Sequence, residues 1–284
     1  MEVVTVRNLN KKYPKFQLKD VSFSASRGRI MGFIGRNGAG KTTTMKSMLN
    51  LIHTESGIIE FFGMDIHAHE FEIKQRIGCI FGAVNYYAQS SLISIANVYR
   101  RFYKNWDEAA YQSYLGRFEL DPEKKVKQLS QGMSIKFSLA LALSHHAELL
   151  ILDEPTSGLD PVSRDELLQI FTDLVDHEGV GIFFSTHITS DLDRTADDIT
   201  YIKNGEIVAS QECESFVNSY RLVEGDAAWL TEDLKQRLIG CHERKGGFTG
   251  LLPVTDGALY PGVKLSPADL ETIMIYTERR QADA

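Results

Sequence analysis

The sequence contains the stretch Gly35-Arg36-Asn37-Gly38-Ala39-Gly40-Lys41-Thr42, which matches Gly-x-x-x-x-Gly-Lys-[Ser/Thr]. Glycine allows the tight turns and the close backbone approach that let successive N–H groups point at phosphate oxygens. A helix that begins at the end of such a loop adds the positive end of its dipole. Residues 29–34 before the loop have a buried-strand pattern, and apolar residues recur at helical spacing over residues 45–52. The stretch therefore predicts a strand, a phosphate-binding loop and a helix.

The positions of this loop have separate expected roles. The Lys41 ammonium is expected to bridge β- and γ-phosphate oxygens, and the Thr42 hydroxyl is expected to ligate Mg²⁺. Thr43 is a further expected phosphate contact. The other expected nucleotide contacts are loop positions, namely Gly35, Asn37, Gly38, Ala39 and Gly40. The alternative is a glycine-rich strand–turn–helix without a ligand.

A second apolar strand ends in two carboxylates. Residues 149–152 are four aliphatic residues, typical of a strand buried on both faces, and Asp153 and Glu154 follow them. Ligands of open α/β sheets bind at the carboxyl ends of the strands. Asp153 therefore suits Mg²⁺ coordination, directly or through water, and Glu154 suits polarising the water that attacks a γ-phosphate. A carboxylate pair that merely caps a helix would not account for the wholly apolar strand before it.

Three weaker signals accompany these motifs. Tyr13 precedes a turn, and its ring either stacks on adenine or packs within the strand. Ser130 and Gly132 precede an apolar helix, where a hydroxyl and an N–H group can bind an anion or simply cap the helix. His187 follows the apolar strand 180–184, and at that sheet edge its imidazole can hydrogen-bond a γ-phosphate, although a lone histidine is usually structural.

Composition restricts the class of protein. The 284 residues are 43% apolar and 24% charged, which is ordinary for a soluble globular chain. The net charge of −7 disfavours a general nucleic-acid binder. No apolar run approaches the ~18–20 residues of a membrane span. The N-terminus has neither the basic region nor the apolar core of a signal peptide. The three scattered cysteines are interpreted as reduced thiols of a cytosolic protein.

The pattern along the chain predicts two parts. Alternating residues before the loop predict antiparallel strands, and residues 84–145 are mostly helical in pattern. Beyond residue 218 the pattern loosens to a helix at 232–239, a glycine-rich link and a last helix. We predict a domain at residues 1–218 and a small accessory α+β subdomain at 219–284.

The order of the motifs across residues 1–218 resembles the ATP-binding subunit of ABC transporters. The resemblance implies a P-loop α/β fold with a mostly parallel core sheet, flanking helices, an antiparallel β-subdomain and a helical subdomain. It also implies that Tyr13 stacks on adenine, that Asp153 and Glu154 are the Walker B pair, that Asp160 belongs to the D-loop and that His187 is the switch histidine.

The same resemblance implies partners and a location. ATP and Mg²⁺ would bind a dimer, either a homodimer or a heterodimer with a related ATPase. In it, Ser130 and Gly132 of one chain complete the other chain's site. Hydrolysis would power a separate transmembrane permease, which holds the subunit at the inner face of the cell membrane. No nucleic-acid partner is expected.

The sequence departs from the family pattern at two places. Gln131 and Met133 replace a glycine and a glutamine of the signature. Gly82 stands where the Q-loop glutamine is usual, with Asn85 or Gln89 as possible substitutes. These departures, and the segments 105–107 and 185–192, resemble a Gram-positive branch that exports antibiotics or antimicrobial peptides.

We therefore expect an ATP-hydrolysing subunit whose permease exports a peptide, an antibiotic or another amphipathic compound. One alternative is a soluble ABC-type ATPase of DNA repair or translation, which the lack of long coiled coils and of a second cassette disfavours. Another is a small-molecule kinase or GTPase, but the chain has no Asn-Lys-x-Asp motif.

Overall fold

The computed structural model describes residues 1–81, 87–257, 260 and 262–279. The chain forms two compact units, which are Met1–Ile188 with Thr200–Ser210, and Thr189–Ile199 with Gln211–Ala284. No helix in the described ranges is both long enough and apolar enough to cross a membrane.

The strands are, in chain order, β1 (Glu2–Tyr13), β2 (Phe16–Ser26), β3 (Ile30–Ile34), β4 (Ser56–Phe61), β5 (Met64–Asp65), β6 (Ile77–Phe81), β7 (Leu149–Asp153), β8 (Gly181–Thr186), β9 (Asp198–Lys203), β10 (Glu206–Glu212), β11 (Tyr220–Asp226), β12 (Ile239–Arg244), β13 (Gly247–Pro253) and β14 (Lys264–Pro267). The α-helices are α1 (Lys41–Met48), α2 (Glu70–Arg76), α3 (Leu92–Phe102), α4 (Glu108–Arg117), α5 (Gln131–Leu143), α6 (Pro161–Glu178), α7 (Thr189–Thr195), α8 (Cys213–Asn218), α9 (Glu232–Arg237), α10 (Val254–Gly257) and α11 (Leu270–Arg279).

A mostly parallel sheet forms the centre of the first unit. Its strand order is β10-β9-β3-β8-β7-β6, and β3, β8, β7 and β6 run parallel. In the register, Ile34 lies opposite Thr186, while Asp153 lies between Ser185 and Phe81. The carboxyl ends of these four strands therefore meet at one edge, and the predicted parallel core is confirmed.

An antiparallel sheet, ordered β2-β1-β4-β5, packs on this core. Phe23 of β2, Phe33 of β3 and Phe183 of β8 have ring centroids 5.4–5.6 Å apart, and all three are buried. Aromatic groups of this kind bury large apolar areas and favour offset contacts. The cluster joins both sheets and holds the strands whose ends carry the polar residues.

The described part of the predicted helical segment contains α3, α4 and α5. The start of each helix is capped by a side chain: Ser91, Asp107 and Ser130 accept hydrogen bonds from N–H groups of the first turns. The apolar middle of α5 is buried, as its sequence predicted.

The second unit contains a four-stranded antiparallel sheet ordered β12-β13-β11-β14. The predicted helix at 232–239 is present as α9, although Ile239 already begins β12. The predicted glycine-rich link at Gly246, Gly247 and Gly250 is instead part of a hairpin: Gly246 lies in the turn between β12 and β13, and Gly247 and Gly250 lie in β13. The glycines permit close packing: a Cβ on Gly250 would lie 2.9 Å from the Leu238 Cδ2 atom.

Candidate nucleotide-binding and hydrolysis site

The glycine-rich loop between β3 and α1 is braced by the β9–β10 hairpin. A Cβ on Gly35 would lie 2.4 Å from the Ile202 carbonyl oxygen, so only glycine fits there without displacing backbone. Gly40 has a φ of 116°, which favours glycine. The Gly205 N–H group donates a hydrogen bond of 2.9 Å to the Ala39 carbonyl. The loop conformation is thus fixed by contacts with the protein itself.

Lys41 begins α1 and is only 5% exposed. Its Nζ donates to the Gly35 carbonyl at 2.7 Å and lies 3.0 Å from Glu154 Oε1. Buried ammonium groups require such partners because desolvation of an unpaired charge is costly. The ammonium and the helix N-terminus together form an electropositive site suited to a polyphosphate.

A chain of three hydrogen bonds links the ends of β7 and β8 to α1. Thr42 Oγ1 donates to Asp153 Oδ2 at 2.7 Å, and Ser185 Oγ donates to Asp153 Oδ1 at 2.6 Å. Ser185 Oγ also accepts from the Glu154 N–H at 3.0 Å. Ser185 was not predicted from the sequence. The sequence feature that could have indicated this residue is a hydroxyl side chain near the end of an apolar strand.

The Thr42 hydroxyl and the Asp153 carboxylate fit a magnesium ion. Both offer hard oxygen donors, which Mg²⁺ prefers together with phosphate oxygens and water. Within the described ranges, no group of three or more His, Cys, Asp or Glu residues could hold a metal ion by itself. The donor set therefore matches a metal that arrives with a phosphate ligand.

Glu154 lies between two cationic or hydrogen-bonding groups. Its Oε2 is 2.7 Å from His187 Nδ1, and its Oε1 contacts Lys41. Its φ of 52° is unusual for a residue other than glycine. The Glu154 N–H bonds both the carbonyl and the hydroxyl of Ser185, and these bonds hold the backbone in that conformation.

An open cavity of about 520 Å³ lies over the loop, a size typical of small-molecule sites. Its lining residues are Lys15, Phe16, Arg36, Asn37, Gly38, Gly40, Lys41, Thr42, Thr43 and Glu154. The structure thus brings together most of the residues that the loop motif predicted. Ala39 is buried, and Gly35 packs against Ile202 instead of lining the cavity.

Tyr13 and Phe16 are two aromatic residues of the β1–β2 hairpin. Tyr13 ends β1, is 40% exposed and is absent from the cavity lining, while the Lys11 Nζ lies 5.1 Å from its ring centroid. Phe16, which pairs with Tyr13 across the hairpin, does line the cavity, and its Cζ would lie 2.8 Å from a Cβ on Gly40. Phe16 was not predicted from the sequence, although it is an aromatic residue in the same hairpin as Tyr13.

Ser130, Gly132 and Asp160 lie at the starts of α5 and α6. Ser130 Oγ accepts from the Met133 N–H, and Asp160 accepts from two N–H groups of α6. The Ser163 hydroxyl, together with these N–H groups, holds the pKa of Asp160 below its usual value. A Cβ on Gly132 would lie 3.6 Å from Ser163 Cβ, so the two helix starts adjoin. None of the three predicted residues belongs to the described lining of the phosphate cavity.

The Q-loop position lies partly outside the described residues. Gly82 and Asn85 are among the residues outside the described ranges. Phe81 pairs in register with Asp153, so β6 ends beside that carboxylate. Gln89 lies in an exposed turn and is absent from the cavity lining.

The chain is similar to known proteins over much of its length. The family described as "ABC transporter" matches residues 18–157. The ABC transporter ATP-binding protein YtrB of Bacillus subtilis is 30% identical over 219 residues, which cover 77% of this chain and 75% of that protein. The bacitracin transport ATP-binding protein BcrA of Bacillus licheniformis is 34% identical over 211 residues, which cover 72% of this chain and 68% of that protein. A solved structure of the ATP-binding subunit of an ABC transporter superposes with a TM-score of 0.69 at 27% identity, covering 76% of this chain and 92% of that one.

Proposed function

This chain belongs to the ATP-binding subunits of ABC transporters, which hydrolyse ATP to power a separate membrane permease, and we propose that its permease exports a peptide, an antibiotic or another amphipathic compound. One observation supports the assignment of ATP hydrolysis to particular residues. Five side chains lie together at one sheet edge, namely those of Lys41, Thr42, Asp153, Glu154 and His187. The proposed class of cargo rests on the similarity to a bacitracin transport protein.

The proposed roles follow from the contacts of each side chain. The loop N–H groups and Lys41 bind the β- and γ-phosphates of ATP, and Thr43 adds a hydroxyl on the same side of the cavity. Lys41 and His187 flank the Glu154 carboxylate, and each can instead hydrogen-bond a γ-phosphate oxygen. ATP binding therefore exchanges both partners of Glu154 and leaves the carboxylate free to polarise the attacking water. His187 then contacts the γ-phosphate and orients it.

The proposed metal is Mg²⁺, held by Thr42 and, directly or through water, by Asp153. When bound, Mg²⁺ neutralises charge on the β- and γ-phosphate oxygens. Ser185 holds the Asp153 carboxylate in place by donating to Oδ1, which leaves Oδ2 facing Thr42.

The subunits of this family work as dimers, and we assign Ser130, Gly132 and Asp160 to the interface. These residues lie on helix starts with exposed surface, away from the chain's own phosphate cavity. A hydroxyl and N–H groups at a helix N-terminus suit a phosphate that a second chain presents. The partner is a second copy or a related ATPase.

The permease is proposed to dock on an apolar face of the first unit. Phe71, Val98 and Phe102 are each more than half exposed and line one groove with Tyr99 and Tyr103. Large exposed apolar patches mark interaction sites on soluble chains. Docking there places the subunit peripherally at the inner face of the membrane.

Co-purification with the permease tests the docking face. A Phe102→Asp variant should keep the ATPase activity of the isolated subunit and lose the permease. Val208→Asp, which charges an exposed apolar residue on β10, is the matched control and should keep both. Retention of the permease by the Phe102 variant contradicts the docking face. A wild-type chain that binds no multi-span membrane protein favours the soluble-ATPase alternative.

A Glu154→Gln variant tests the hydrolytic role and the export role together. The amide cannot take up a proton from water, so ATP binding should persist while turnover falls steeply. ATP-loaded dimers should then accumulate and be visible by gel filtration.

The same variant tests the export role. When the chain is expressed with the permease in a bacitracin-sensitive Gram-positive host, wild type should raise resistance and the variant should not. Undiminished turnover removes Glu154 from the mechanism, and equal sensitivity of both strains to a panel of peptides and antibiotics refutes the proposed cargo class.

A further inference from the structure

Gln131 connects the start of α5 with the turn that follows Glu154. In the proposed dimer, these two parts of one chain serve different ATP sites. It is the first residue of α5, immediately after Ser130, and its side chain is exposed. Its Nε2 donates a hydrogen bond of 2.7 Å to the carbonyl oxygen of Ser157. A Cβ on Gly158 would lie 3.0 Å from Gln131 Oε1, and Gly158 has a φ of 77°. The amide is therefore seated closely against the turn at Ser157 and Gly158.

This turn begins at the hydrolytic carboxylate. The Ser157 N–H donates to the Glu154 carbonyl at 3.2 Å, and the Leu159 N–H donates to the Thr156 carbonyl at 3.3 Å. The turn ends at Asp160, which caps α6. One residue, Ser157, thus contacts Gln131 through its carbonyl and closes the turn at Glu154 through its N–H group.

A second contact, an ion pair, also joins α5 to α6. Lys136 Nζ of α5 is 2.8 Å from Glu166 Oε2 of α6. This ion pair is exposed and contributes little by itself. The Gln131 bond reaches the turn that follows Glu154. A glycine, usual at this signature position, has no side chain to make that bond.

We propose that Gln131 is a positioning residue that couples the two ATP sites of the dimer. The proposal rests on the dimer of the proposed function, in which Ser130 and Gly132 serve the partner's ATP and Glu154 serves the chain's own. When α5 moves onto the partner's phosphate, the Gln131 amide moves the Ser157 carbonyl with it. The turn then shifts Glu154 toward or away from its own substrate, so occupancy of one site changes hydrolysis at the other.

The test compares the ATP dependence of hydrolysis in wild type and a Gln131→Met variant. Methionine keeps the length of the side chain and removes the amide donor. Wild type should show a Hill coefficient above one, with two as the limit for two sites. The variant should approach a coefficient of one while its nucleotide affinity, measured by fluorescent-ATP titration of the monomer, changes less than about twofold. A residue that merely supports folding would not separate these two readouts.

Two further variants sharpen the result. Gln131→Lys keeps a donor of sufficient reach and should restore much of the coupling. Gln169→Met is the matched control, because Gln169 also donates from an exposed helix, to Asp173, without reaching the turn. It should behave as wild type. An unchanged Hill coefficient in Gln131→Met, or a wild-type coefficient of one, refutes the coupling even where ATP-driven dimerisation and hydrolysis are normal. If the wild-type chain does not dimerise when ATP is added, the proposed dimer is wrong and the coupling is wrong with it.

Discussion

Ser185 offers the sharpest test of how the sheet edge is held together. Its hydroxyl is fully buried and donates to the Asp153 carboxylate, and a hydrogen bond to a charged group contributes about 1.5–3 kcal/mol. Ser185→Ala removes that bond. It leaves no unpaired backbone donor, because the Glu154 N–H keeps its bond to the Ser185 carbonyl at 3.1 Å. We therefore expect the free energy of unfolding to fall by about 1.5–3 kcal/mol.

The same change should weaken the response to magnesium. Residues that orient a metal ligand typically change metal affinity or activity by about 10–100-fold when removed. The Mg²⁺ concentration for half-maximal ATP hydrolysis should rise within that range, while binding of metal-free ATP changes little. Urea unfolding, followed by Trp106 fluorescence in a Trp229→Phe background, measures stability of the first unit separately.

Ser144→Ala is the matched control for Ser185→Ala. Ser144 is also fully buried, but its hydroxyl donates to the neutral Ala140 carbonyl, which the Ser144 N–H already bonds at 3.0 Å. Its loss should cost at most about 1 kcal/mol and leave the magnesium response unchanged. If the Ser185 variant is no less stable than the Ser144 variant and needs no more Mg²⁺, the hydrogen-bonded chain does not position Asp153.

Three further experiments test separate features. Phe16→Ala and Tyr13→Ala should each weaken ATP binding by roughly 1 kcal/mol in calorimetric titrations and leave triphosphate binding unchanged, because only the base offers a face for stacking; equal losses for both ligands would mean a folding effect. Ser130→Arg and Lys41→Ala should each be inactive alone and regain some ATPase activity when mixed, since one composite site then carries both lesions and the other neither; no recovery in dimers shown to be mixed contradicts independently working composite sites. Burial lowers the pKa of His145 to about 4 from an ordinary value near 6.5, so the unfolded chain binds more protons and wild type should lose about 2 kcal/mol of stability from pH 7 to pH 5, a loss that His145→Phe avoids in urea unfolding at the two pH values.

The parts of the site that the sequence predicted are those encoded by contiguous residues. The loop at 35–42 and the carboxylates after β7 each combine a local backbone pattern with the reactive side chains. The contacts of Ser185 and Gln131 depend instead on which strands and helices lie side by side in the fold. The bond from Ser185 to Asp153 exists because β8 pairs with β7 in one register, and a one-residue shift would turn the hydroxyl to the other face.

The second unit was harder to predict for a different reason. Its strands contain glycines at positions where neighbouring groups approach too closely for a side chain, as at Gly225 against the Phe248 ring. Glycine is ordinarily a sign of a turn or link. Glycine is favoured both in closely packed strands and in turns, so the glycine content alone did not distinguish a strand from a link.

The brace on the phosphate loop has a consequence for synthesis of the chain. Gly205 bonds both the loop, at Ala39, and β2, at Lys19, and Ile202 packs on Gly35. The loop itself is finished when Lys41 leaves the ribosome, but its support is translated 164 residues later (205 − 41). At about 5–20 residues per second this interval lasts roughly 8–33 s. During that time the nascent chain carries the nucleotide motif without the hairpin that holds the loop in its folded conformation.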